Sequence, residues 1–313
     1  MWYGCPLRTQ AGAVRGESAA LKLFLAPTRY KSGMTGLLER PRRSTPTALA
    51  LALLTAAVAA GCGSSGGQKP AGAHKSSPTP TQTTSPSQSP STSASALAPT
   101  RGAYSPSISP SNFVATIDNR YFPLKPGTGF HYRGVAEDGK TPQTDDMVVT
   151  HATKMILGVK CTVVRDTVRS RGRLLERTFD WYAQDKAGNV WYMGEDAREV
   201  HHGRLVRADD SWEGGRRGAK PGIIMPGDPR VGDSYRQEYY PGSALDQARV
   251  LGPGGSVTVP AGTYKSTLLT VETSPIDPAR ERKYYVVGLG DIKEQTVAGN
   301  HERIVLVRIT HGA

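Results

Sequence analysis

Carboxylates and aromatic hydroxyls are the side chains of this sequence best equipped for chemistry. Asp180, Tyr182, Trp191 and Glu195 fall on two neighbouring extended runs, and Arg236, Glu238 and Tyr240 alternate along a third. Alternation with period two puts Arg236, Glu238 and Tyr240 on one face of their run, Asp180 beside Tyr182, and Glu281 beside Lys283. Turned inward, such faces line a polar cavity rimmed by aromatics, the lining of pockets for a small molecule, a lipid or a glycan. Turned outward, they are cross-strand ion pairs and ring pairs, worth ~0.2–1 kcal/mol each. Carboxylates such as Asp180, Glu195 and Glu238 also suit hydrolysis by an acid pair, a chemistry that leaves no linear motif.

Signatures with a linear motif are missing. His301-Glu302 lacks the second histidine of a zinc helix, and no Gly-x-Ser-x-Gly elbow occurs. His201 and His202 point to opposite faces of an extended chain and cannot share a metal. The pairs Asp145-Asp146 and Asp209-Asp210 read as solvated loop charges. Gly252-Pro253-Gly254-Gly255 reads as a turn between strands, with no lysine or helix after it to make a phosphate loop. In 184–189, Asp185 and Asn189 suit an Asx-type hairpin turn and lack the alternating acids of a calcium loop. No cofactor or metal is therefore expected. Cys161 stands on the apolar face of a strand-like run and reads as a small buried hydrophobe.

The elements that must carry these residues are strands. Runs such as 178–183, 190–195, 268–272 and 304–309 alternate apolar and polar side chains, and glycine-bearing turns at 137–140, 171–173, 186–189, 202–203 and 298–300 separate them. Helical periodicity is scarce; its best candidate is the short stretch 243–249. These features predict an all-β antiparallel meander of roughly ten to thirteen strands curling into a barrel or half-barrel with little helix. A lipocalin-like closed barrel and a sheet wrapped around one helix compete for this pattern, with a two-sheet sandwich third. The proline-fenced stretch 220–226 reads as a plug or mouth loop and is excluded as a central strand.

The N-terminal third gives an address. Arg40, Arg42 and Arg43 precede thirteen uncharged residues, 48–60, and then Gly61 and Cys62. That is a signal-peptide layout, too short to span a bilayer, which needs ~20 residues. Ala59-Ala60-Gly61-Cys62 resembles a lipobox, with Ala59 where leucine is preferred; the resemblance implies diacylglycerol on Cys62 and cleavage before it. Residues 1–33 read as a mis-assigned extension ahead of a start at Met34, 34–61 as the lipoprotein signal, and 62–111 as the lipidated cysteine and a disordered Ser/Thr/Pro tether. Residues 112–313 read as one β-rich domain. The expected location is the outer face of the cell membrane, reached by export and held by lipid.

Charge follows the same division. The whole chain is +12, from 39 basic and 27 acidic residues. Eight basic and two acidic residues precede Cys62, and residues 112–313 hold 28 basic and 25 acidic, net +3. A balanced domain of mixed signs shows no nucleic-acid footprint.

The stretches NRYFPLKPGTGFHYRG (119–134), DWYAQDKAGNVWYMGED (180–196) and KPGIIMPGDPRVGDSYRQEYYPG (220–242) occur together with VTVPAGTY (257–264) and ERKYYVVGLGDIKE (281–294). Together they resemble a family of exported actinobacterial-type lipoproteins of unassigned activity, over essentially all of 113–309. The last two also resemble a wider group of periplasmic β-proteins. The resemblance implies the fold and transfers no site. The leading expectation is a non-enzymatic, membrane-anchored β-domain that binds a ligand or envelope component. A carboxylate hydrolase, possibly acting on carbohydrate, and a pocketless interaction module are the alternatives.

Overall fold

A computed structural model describes residues 93–312; the expected signal peptide, Cys62 and the expected tether as far as residue 92 lie outside the described residues. The described chain is nearly all β, with thirteen antiparallel strands in a nearly closed barrel. In chain order the strands are β1 (Phe113–Val114), β2 (Thr128–Val135), β3 (Pro142–Ile156), β4 (Val159–Ser170), β5 (Arg173–Asp185), β6 (Val190–His201), β7 (Arg204–Arg207) and β8 (Lys220–Met225). There follow β9 (Ser234–Arg236), β10 (Glu238–Tyr239), β11 (Gln247–Val259), β12 (Gly262–Ser274), β13 (Asp277–Val286), β14 (Gly290–Ala298) and β15 (Arg303–His311).

Around the wall the order is β10-β8-β6-β5-β4-β3-β2-β15-β14-β13-β12-β11-β9, with β1 added beside β5 and β7 beside β6. Most neighbours are consecutive hairpins, because short glycine turns join antiparallel strands directly. The two ends of this order are one piece of chain. Residues 234–236 pair with β11, and residues 238–239 pair with β8. The chain changes partner at Gln237, whose N–H reaches the Asp246 carbonyl at 2.8 Å. A methyl group on Gly222 of β8 would lie 2.4 Å from the Gln237 carbonyl, so only glycine lets the two edges approach this closely.

An outer strap covers that seam. Residues from 93 onward, which the sequence analysis places in the tether, lie against the barrel. The short helix α1 (Ala94–Leu97) sits on β9, where Ser95 Oγ accepts the Ser234 N–H at 3.0 Å. The Arg236 guanidinium donates to the carbonyls of Pro99 and Thr100, at 2.8 and 2.9 Å. Tyr104 donates to the Pro221 carbonyl, and Lys220 donates to that of Tyr104. One stretch thus holds β9 and β8 together. Further on, Phe122 and Leu124 enter the apolar core with Phe130, Tyr132 and Met147.

Three expectations change. Stretch 220–226 forms strand β8 within the wall; Pro221 stands near its start, ahead of the pairing with β6 that begins at Gly222 and opposite Glu238 of the two-residue β10. Residues 252–255 do not turn; they sit inside β11 and break its register with β12 three times, bending a long strand by bulges. Stretch 243–249 runs from a Tyr240–Ala244 turn into β11 rather than forming a helix. The hairpin turns fall where glycine placed them, and Cys161 is fully buried, its thiol pushed up to about 12 by that burial.

Gly222→Ala is expected to destabilise the barrel by ~1–3 kcal/mol through overpacking at the seam, read as a lower urea midpoint. An unchanged midpoint would show that the edges are not held this tightly.

Candidate functional site: a carboxyl and tyrosine interior

Closing the sheet gives it an inside, and acids fill much of it. Among the described residues fourteen Asp and Glu are buried against two bases, Lys283 and, under the outer strap, Arg236. That many ionised carboxylates cannot share a low-dielectric interior, so protons must be retained or shared. Asp145 of β3 and Asp166 of β4 form such a pair. Burial, then the charge of Asp166, holds Asp145 well above the usual carboxylate range; it keeps its proton and donates to Asp166. Burial pushes Asp166 itself up to about 6. Glu281 of β13 is likewise held high by burial and by Glu294, to which it is hydrogen-bonded. Lys283 lies between Glu272 (3.0 Å) and Glu294 (3.4 Å). Burial alone would depress its pKa, but these acids outweigh it and keep the ammonium charged. Gln237, at the seam, donates to Glu272 at 2.9 Å.

The second group is aromatic. Tyr192 of β6 contacts Asp180 Oδ1 at 2.6 Å and Glu195 Oε2 at 2.9 Å through its hydroxyl. It can donate to only one of them at a time. Tyr182 stacks on Tyr192 with ring centroids 4.8 Å apart and planes within 16°. The two are cross-strand partners whose side chains leave the sheet on the same side. The Tyr182 hydroxyl is fully buried and has no hydrogen-bond partner among the described residues. Burial, then Asp180, Glu195 and Glu238, keeps it protonated and therefore a donor. Trp212 closes the group edge-on to Tyr192, 5.3 Å between centroids.

The structure thus brings Asp180, Tyr182 and Glu195 together, with Glu238 fully buried within electrostatic reach. Trp191 is on the other face, its indole N–H donating to Asp185 at 2.9 Å. Arg236 is under the strap outside, and Tyr240 opens the 240–244 turn. Simple alternation would pair Trp191 with Glu195. A bulge beside Gly194 inserts one residue between the Trp181–Gly194 and Tyr182–Tyr192 pairs, which moves Glu195 to the face of Tyr192. Gly194 has φ 137°, and a Cβ there would stand 2.5 Å from the Trp212 carbonyl, so the bulge needs glycine.

The reading of 145–146 as loop charges is corrected as well. Both residues lie in β3, with Asp145 inside and Asp146 outside, where it meets His131 (2.7 Å) and Arg169 (3.1 Å). Asp210 is also buried, and Asp209 is exposed. The pattern at 184–189 is the Asx turn expected: Asp185 Oδ1 accepts the N–H groups of Ala187 and Asn189, both at 2.9 Å. No group of metal-binding residues occurs among the described residues.

No family model and no curated protein matches the chain. Two solved structures resemble it weakly. One is a protein described as exported and YmcC-like in fold, from Bacteroides fragilis, with 14% identity and a TM-score of 0.32 over 61% of this chain and 98% of that one. The other is described as a lipoprotein, from Parabacteroides distasonis, with 11% identity and a TM-score of 0.32 over 60% and 97%.

The shared protons set the sign of the pH response. Asp166 ordinarily titrates near 3.8 and in the fold near 6, so between those values the folded chain binds more protons than the unfolded one. Stability contributed by this group is complete below pH ~4 and is lost as pH rises toward 6 and above. The thermal midpoint is expected to be several degrees higher at pH 5 than at pH 8. Asp145→Asn, which gives Asp166 a permanent donor, should flatten that dependence; a midpoint that rises with pH would contradict the shared-proton pair.

Proposed function

We propose that the chain is an exported lipoprotein, lipidated on Cys62 and held at the outer face of a membrane, and that its barrel is a non-catalytic binding domain for a small cationic ligand. The seat is the Asp180–Tyr182–Tyr192–Glu195 group with Glu238. The observation that carries this reading is the Tyr182 hydroxyl: a fully buried donor without a partner among the described residues, set among acids. A buried hydroxyl left unpaired costs roughly 1–3 kcal/mol, and a ligand with an acceptor beside its cationic group would recover it. An ammonium or guanidinium group supplies positive charge that a carboxyl-rich interior lacks, and stacked tyrosine rings favour cations by their quadrupole.

The hydrolase alternative has less behind it. Asp180 and Glu195 both touch one hydroxyl, so their contacting oxygens are at most 5.5 Å apart, the sum of 2.6 and 2.9 Å. Tyr192 occupies the space where a glycosidic oxygen would have to enter. The Asp145–Asp166 pair is in direct contact, closer than the ~5–9.5 Å that glycosidase carboxyls keep.

Two experiments test the reading. Titration with arginine, whose carboxylate is an acceptor beside its cationic groups, should change tryptophan fluorescence through Trp212, and Tyr182→Phe should weaken the response about five- to tenfold, the worth of one hydrogen bond. Indifference of the wild-type protein to spermidine and to arginine, together with a bare polypeptide mass by native mass spectrometry, would remove the cationic-ligand reading. Separately, Cys62→Ser should move the protein from the membrane fraction to the soluble one; retention in membranes would refute the anchor.

A further inference from the structure

The near-neutral composition of the domain hides a segregation of charge by depth. Residues 112–312 carry 28 Lys and Arg against 25 Asp and Glu. Fourteen of those acids are buried but only two of the bases, so the charges at or near the surface number 26 positive and 11 negative. The barrel meets its surroundings as a polycation.

The excess is densest on the outer wall of β4 to β7. Arg177, Arg198 and Arg207 stand directly opposite one another across β5, β6 and β7. Adjacent strands are ~4.8 Å apart, and like charges in that position repel. One acid serves the row: Asp196, which meets Arg198 at 3.0 Å and Arg207 at 3.3 Å. Arg177 has no ion pair among the described residues. The row continues toward the ends of the same strands into a groove of about 460 Å³, where Arg171, Arg173 and His202 surround Leu174, Leu175 and Val200.

We propose that this wall docks a linear polyanion, a phosphodiester-linked polymer met outside the membrane. Guanidinium groups hold phosphate oxygens in bidentate pairs, and three set across adjacent strands can engage several phosphates of one chain. A flexible polymer is favoured over a bilayer because the basic residues follow a convex wall. Arg133, Lys293 and Arg303 carry the excess round to β2, β14 and β15; a flat membrane touches such a wall along one line only, whereas a chain can follow it. The repulsion stored in the row is then relieved when the polymer is bound. This inference is independent of the interior site.

The test uses the chain from Cys62 onward with Cys62→Ser, long-chain inorganic polyphosphate as the probe, and phosphatidylglycerol vesicles as the competing surface. Wild-type protein should bind polyphosphate with an affinity that falls steeply with salt. Replacing Arg177, Arg198 and Arg207 together by Gln should weaken binding at least tenfold and lower the slope of log K against log salt by about two, since each phosphate contact contributes ~0.7–0.9. The same triple should leave the thermal midpoint unchanged or raise it, because it removes a repulsive row. The triple Arg133→Gln, Lys293→Gln and Arg303→Gln, at the far end of the path, should cost about threefold, clearly less than the first triple. Equal losses from both triples would reduce the effect to diffuse charge and overturn the site. So would capture by vesicles at salt concentrations where polyphosphate is not bound, or a midpoint that falls in the first triple.

Discussion

Closure of the sheet at Gln237 is the constraint on which the remaining features rest. Until residues 234–239 pair with β11 on one side and β8 on the other, the wall has two edges and no interior. Once they do, period two sorts every strand into side chains that lose water and side chains that keep it. The join is slight, three residue pairs on one side and two on the other. That is why it needs the close approach at Gly222 and the strap from residue 93 to Tyr104 across it.

The sorting is unusual in direction. Interiors ordinarily take apolar side chains, and charged ones enter only when paired. Here the acids go in and the bases stay out. The interior remains tolerable through three devices: carboxyls that keep or share protons, as Asp145 with Asp166 and Glu281 with Glu294; one lysine clamped by two glutamates; and tyrosine hydroxyls as neutral donors. Buried networks of this kind are weak sources of stability relative to a packed apolar core, and they impose strict conditions on geometry and protonation. The apolar residues Phe122, Leu124, Phe130 and Met147 contribute the ordinary hydrophobic driving force, with Phe122 edge-on to Tyr182 at 5.5 Å between centroids.

The class of the fold was legible because it rests on two local signals, alternation and glycine turns, that need no knowledge of partners. Hairpins at 171–172, 187–188 and 202–203 lie where those signals put them. Of the site, Asp180 and Tyr182 could be paired by alternation alone, since nothing interrupts β5 between them. What stayed hidden depends on contacts distant in sequence. The bulge beside Gly194 reverses the parity of Glu195 relative to Trp191; the glycine is its one local sign, and its cause, the approach of the Trp212 backbone, is distant in sequence. The change of partner at Gln237 separates Arg236 from Glu238, though a continuous strand would have aligned them. Asp145 beside Asp146 looks like a loop because each is polar, yet in a strand neighbours face opposite ways and one of the two is committed to the interior. Residues 93–104 carry the Ser/Pro composition of a spacer, and only their partners on β8 and β9 reveal them as structure.

The strap also fixes how the barrel responds to force. Tension applied to the chain N-terminal of residue 93 is not delivered to a broad hairpin that must shear many hydrogen bonds at once. It arrives at α1 and Arg236, directly over the shortest pairings in the wall. A pull from that side peels the strap one contact at a time, and the next thing it loads is the seam itself. The molecule therefore has a mechanical polarity: it yields along one predetermined line when drawn by its N-terminal segment, while the long hairpins of β3 to β6 and β11 to β13 bear none of the first load.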